Sequence, residues 1–68
     1  MTEIIFLIEE SREGGFIATA LGESIFTDGE NYEEIKRNIK DAVDCHFDEK
    51  RKPKLIRLHI VKDEVILA

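Results

Sequence analysis

Cys45 and His46 stand side by side in the sequence, the two groups that a thiolate nucleophile and its imidazole base would need. The residues around them carry a helical period, and neighbours on a helix point about 100° apart. A thiol and a ring so placed cannot meet as a hydrogen-bonded pair. They read as a small cysteine on a helix flank beside a partly buried histidine. Carboxylates crowd the first half of the chain: Glu3, Glu9, Glu10, Glu13, Glu23, Asp28, Glu30, Glu33 and Glu34. A two-metal nuclease would draw three or four of them onto ions about 4 Å apart. Glu9 or Glu10 and Asp28 fall near strand ends and can approach one another, but no third is placed to join them. The others sit where helix caps and solvated faces want negative charge. His59 alternates with Arg57 on the outer side of a strand, a position for a surface or interface residue. Gly14-Gly15 makes a turn; no Lys-Ser or Lys-Thr follows it, as a phosphate loop requires. No catalytic, cofactor-binding or metal-ligating set is therefore expected, and the chain reads as a binding protein.

Sixty-eight residues make one domain, spanning 1–68. A chain this short buries only about 60% of its unfolded surface, and small domains usually find extra support in disulfides, a metal or a partner chain. Cys45 is the single cysteine, so no internal disulfide forms. One Cys and two His cannot fill a structural zinc site without carboxylate help. A partner chain is what remains. The formal net charge is −5 and the pI about 4.9. That balance disfavours direct nucleic-acid binding, which rewards clustered Lys and Arg, and suits a basic partner. At 43% hydrophobic the chain is too apolar for disorder. The sequence has no run approaching the roughly 18 apolar residues of a membrane span and no signal-peptide pattern. Together with the lone cysteine, this points to the cytoplasm and away from membranes.

The elements that position these residues follow from pattern. Ile4-Ile5-Phe6-Leu7-Ile8, bounded by charge, predicts a strand over Glu3 to Glu10 that is apolar on both faces. The Ser11–Gly15 turn leads to a second strand, Phe16 to Leu21, with Phe16, Ala18 and Ala20 on one side. Ser24-Ile25-Phe26-Thr27 reads as a short third strand, broken by Asp28-Gly29. From Tyr32 the period changes. Tyr32, Ile35, Ile39, Ala42, Val43, His46 and Phe47 recur at spacings of three and four, the mark of an amphipathic helix. Asn31 is its expected N-cap, Glu34 completes a capping box, and Glu33 and Glu34 favour the helix start. Lys50-Arg51-Lys52 either end the helix or enter the loop, and Pro53 stops it. Leu55 to Lys62 alternates as a fourth strand, with Ile56, Leu58 and Ile60 on its buried side. Asp63-Glu64 breaks it, and Val65-Ile66-Leu67 is a short fifth strand or a tail. The fold expected is α+β: an antiparallel sheet with one helix on one face, in the order βββαβ(β).

One helix covers one face of such a sheet. The first strand is apolar on both, Ile4, Phe6 and Ile8 against Ile5 and Leu7. The uncovered face wants a partner that the monomer does not supply, so a homodimer or larger assembly is expected.

The run Gly15-Phe16-Ile17-Ala18-Thr19-Ala20, then Thr27-Asp28-Gly29-Glu30-Asn31-Tyr32-Glu33-Glu34-Ile35 and Asn38-Ile39-Lys40-Asp41-Ala42-Val43, resembles the HicB antitoxin family. That family shows a Gly-aromatic second strand, a small-residue turn, a Thr-x-x-Glu-type cap and a helix of the pattern Glu-Glu-Ala-x-x-Asn-Ile-x-Glu-Ala. Asn31 stands where the family usually has Thr, and Ile35 and Asp41 replace the commoner Ala and Glu. The likeness covers about residues 3 to 48, and the stretch from Leu55 to Ile66 resembles a compact branch of the same family. It implies a partial RNase H-like fold that binds and occludes a small basic HicA-like ribonuclease toxin. Many members add a C-terminal DNA-binding domain; this sequence reaches Ala68 without one, so no direct DNA binding is expected. Asp28, Glu30 and Glu33 are the expected contacts for a cationic partner, and no cofactor is implied. A stand-alone homo-oligomeric module for another ligand is the competing expectation.

Overall fold

The computed structural model describes residues 2–62 and 64–68. Four strands and one helix follow in the order β1 (Glu3–Glu10), β2 (Phe16–Ala20), β3 (Phe26–Gly29), α1 (Tyr32–His46) and β4 (Leu55–Val61). The strands form one sheet in the spatial order β3-β2-β1-β4. β1, β2 and β3 make an antiparallel meander, with Phe6 opposite Ala20, Glu10 opposite Phe16, and Phe16 opposite Gly29. β4 departs from the all-antiparallel expectation. It lies parallel to β1, from Glu3 beside Leu55 to Glu9 beside Val61. The reason is directional. β3 runs the same way as β1, and α1 carries the chain back across the sheet, so β4 sets out again along β3 and β1. The sheet is mixed.

One side of the sheet holds the core. Ile4, Phe6 and Ile8 of β1 and Ala18 and Ala20 of β2 are buried against Ile35, Ile39 and Val43 of α1. The two alanines matter by being small: they let the helix approach β2 closely. α1 lies over β2 and β3, so the helix-facing residues of β4 are less well covered. Ile56 and Leu58 are half-buried and Ile60 is 51% exposed. On the other side of the sheet Ile5, Leu7 and Ile17 are half-buried, while Phe26, Leu21 and Leu55 stand in water.

Both ends of β3 differ from the sequence pattern. Asp28 and Gly29 continue β3 instead of ending it, because they pair with Ile17 and Phe16; Ser24 and Ile25 precede the strand. Ile25 is buried all the same, and its carbonyl accepts from Ala20 N at 3.0 Å to close the β2–β3 turn. Lys50, Arg51 and Lys52 belong to the loop after α1. There Asp44 hydrogen-bonds the Lys52 ammonium and holds its pKa above the ordinary lysine value. The break expected at Asp63-Glu64 falls partly on Asp63, which lies outside the described residues. Glu64 to Ala68 form no strand with the rest of the molecule.

The helix start follows the sequence closely. Asn31 is extended (φ −143°, ψ 174°), and its Oδ1 accepts from Glu34 N at 2.8 Å. Glu34 Oε1 in turn accepts from Glu30 N at 3.4 Å, one residue earlier than in the usual capping box. We expect Asn31→Ala to cost about 1 kcal/mol of unfolding free energy by stripping the first-turn amide of its acceptor. Urea titration of the variant checks this; a change below about 0.2 kcal/mol would show that the cap contributes nothing.

Candidate functional site

At one end of the sheet the β1–β2 turn meets the junction of β3 and α1. Both connections are fixed by backbone requirements. Gly14 and Gly15 sit at φ 95° and 79°, and the turn is closed by Ser11 N to Gly15 O at 3.0 Å and Gly14 N to Ser11 O at 3.1 Å. A Cβ on Gly15 would stand 2.7 Å from the Gly29 carbonyl oxygen, so the two connections touch through backbone alone. Asn38 adds a tether from the helix, its Nδ2 donating to the Asp28 carbonyl at 2.7 Å. Phe16 and Tyr32 pack edge-on beneath, centroids 6.3 Å apart.

Around this junction lies a depression of about 470 Å³. Glu13, Asp28, Glu30 and Glu34 line it, with Phe16, Ile17 and Phe26 as its apolar part. Four carboxylates around exposed aromatic surface make a negative, partly apolar recess. Carboxylates beside apolar surface have the chemistry to take a Lys or Arg side chain, charged head to the acids and stem to the apolar part. Two expected contact residues, Asp28 and Glu30, are brought together here. Glu33 is not among the lining: it lies exposed on the outer side of α1, paired with Lys36 at 3.4 Å. Glu13 and Glu34 were not expected at this site. Glu34 has a second role as the cap partner of Glu30, and Glu13 arrives because the glycine turn folds back toward β3.

The other reactive residues lie apart. Cys45 is exposed. The ring of His46 turns from it, placing Nε2 3.3 Å from Glu23 Oε1 and stacking edge-on against Phe47 at 4.8 Å. His59 and Arg57 are exposed on the side of β4 away from the helix, where Arg57 pairs with Glu3. Among the described residues no three His, Cys, Asp or Glu side chains converge as a metal cage needs. Nor, among those residues, is any helix long and apolar enough to cross a membrane.

This sequence is 54% identical over 52 residues to a UPF0150 protein of Archaeoglobus fulgidus, covering 76% of this chain and 77% of that one. A UPF0150 protein of Thermotoga maritima is 48% identical over 64 residues, 94% of this chain and 90% of its relative. The chain belongs to the UPF0150 family. No family model matches it, and no solved structure matches either. The alignment to the Thermotoga UPF0150 protein is long enough to include most of the sheet and the whole of α1.

Proposed function

We propose that this UPF0150 chain is an antitoxin-type binding module that neutralises a small basic HicA-like ribonuclease toxin by occlusion, with no reaction of its own. The observation that carries this reading is the acidic recess: Asp28, Glu30, Glu34 and Glu13 gathered at the sheet end beside exposed Phe26. A ribonuclease must present cations to RNA phosphates, and a recess of this kind occupies the same cations. The run from Gly15 to Val43, with its HicB-like pattern, supports the reading independently. The βββαβ order, with β4 added parallel to β1, supports placing the fold with the partial RNase H-like domains of that family. The net charge of −5 favours a cationic protein partner over direct nucleic-acid binding. In this reading the protein works in the cytoplasm, self-associated through the uncovered sheet face.

That sheet face favours a second reading. Phe26, Leu21 and Leu55 are 68%, 54% and 62% exposed, and a face of this kind serves a stand-alone homo-oligomeric module without a toxin.

Co-expression with a small basic HicA-like protein from the same genome separates the two. In the first reading that protein is toxic, growth is rescued, and the pair co-purify. Asp28→Lys combined with Glu30→Lys slows association and flattens its salt dependence, each exposed charge contributing about 0–1 kcal/mol. A toxic HicA-like protein that this chain neither rescues nor binds overturns the antitoxin reading and leaves the self-associating one. Tight, specific binding of the free chain to promoter DNA overturns the protein-partner half.

A further inference from the structure

Beyond β4, Val65, Ile66 and Leu67 belong to no element and are 91%, 82% and 94% exposed. Three consecutive aliphatic side chains in water form an anchor of the type that another surface takes up. The molecule measures 52 × 19 × 18 Å. Its long axis is about twice the span of an eight-residue strand, so the tail stands clear of the body.

A surface of matching chemistry lies between α1 and β4. Because α1 sits over β2 and β3, a groove of about 270 Å³ is left beside β4, floored by Ile39, Ile56 and Leu58 and rimmed by Lys36, Lys40 and Lys54. Lys36 pairs with Glu33. Lys40 and Lys54 have no carboxylate partner among the described residues. The tail carries the complement: Glu64, then three aliphatics.

We propose that the tail of one copy, residues 64–67, docks in the α1–β4 groove of a second copy, in a reciprocal exchange of arms. Val65, Ile66 and Leu67 cover the half-buried Ile56 and Leu58, and Glu64 meets the lysine rim. The second copy is the occupant because the groove is built on the first half of β4, whereas the tail leaves from the Val61 end and projects away. A two-fold exchange seats both tails and closes the assembly. This proposal does not rest on the toxin reading; it assigns one interface to the self-association proposed above.

The test is sedimentation of the full chain and three variants: Ile66→Asp, Lys40→Glu with Lys54→Glu, and Phe26→Asp. Ile66 contributes nothing to the monomer's core, so Ile66→Asp leaves the circular dichroism spectrum of the fold intact. Its self-dissociation constant rises about tenfold or more, and the lysine double variant behaves alike. Mixing these two variants restores part of the assembly, since one tail and one groove in the mixed dimer remain intact. A monomeric parent chain overturns the proposal together with the sheet-face association. An assembly that ignores Ile66→Asp but dissociates with Phe26→Asp overturns the arm exchange alone. Sensitivity to Ile66→Asp without sensitivity at the lysines overturns the groove as the docking site.

Discussion

Phe6→Ala is expected to cost about 3–5 kcal/mol, the range for deleting a fully enclosed aromatic side chain. Phe6 is 0% exposed and stands on the central strand among Ile8, Ile35, Ile39 and Val43, the largest side chains of the core. A domain of this length holds about 3–10 kcal/mol in total, so the variant keeps little of it. Urea unfolding followed by circular dichroism gives the loss directly. Self-association stabilises the folded state by mass action, so the comparison belongs at matched protein concentration. A loss below about 1 kcal/mol would mean that the helix and sheet are not held together at Phe6.

Gly29→Ala is the second large effect, and its cause is different. The backbone at Gly29 needs no left-handed conformation, yet an added Cβ would lie 2.7 Å from Ile35 N and 2.9 Å from Ile35 Cα. Both are backbone atoms of the first helical turn and cannot swing aside. α1 must lift from β3, at a cost of about 1–3 kcal/mol as for other overpacked cores. Gly14→Ala is the control: its φ of 95° carries conformational strain, but nothing lies within 4 Å of the new Cβ. The two variants separate crowding from strain. If Gly29→Ala unfolds at the same urea concentration as the parent chain, the close approach of α1 to β3 is wrong.

What the sequence made legible was whatever is decided locally. Asn31 and Glu34 sit three apart before an apolar stripe, and the cap forms between them. The stripe Ile35, Ile39 and Val43 is the buried face of α1. The direction of β4 was not legible, because alternation in Leu55–Val61 is the same whichever way the strand lies; the crossover of α1 decides it. Asp28-Gly29 looks like a strand breaker by composition. Gly29 stays in the strand because it pairs with Phe16, and it is a glycine because the first turn of α1 packs against the place of its missing side chain. The site divides in the same way. Asp28 and Glu30 were accessible as acids near a strand end. Glu13 joins them only through the fold of the glycine turn, and Glu33 leaves them because the helix rotates it outward.

The parallel placement of β4 also sets an order of events. β2 reaches β1, and β3 reaches β2, through short turns, and these pairings close early in synthesis. The remaining edge of β1 is paired by residues near the other end of the chain, with Thr2 O accepting from both Lys54 N and Leu55 N at 3.0 Å. Contacts this distant in sequence carry the largest loop-closure entropy and form slowly. β1 is made before the other three strands, yet of the two interior strands it is the later to be flanked on both sides. Until Leu55–Val61 has left the exit tunnel, a strand that is apolar on both faces keeps one row of backbone donors and acceptors open to any other nascent strand.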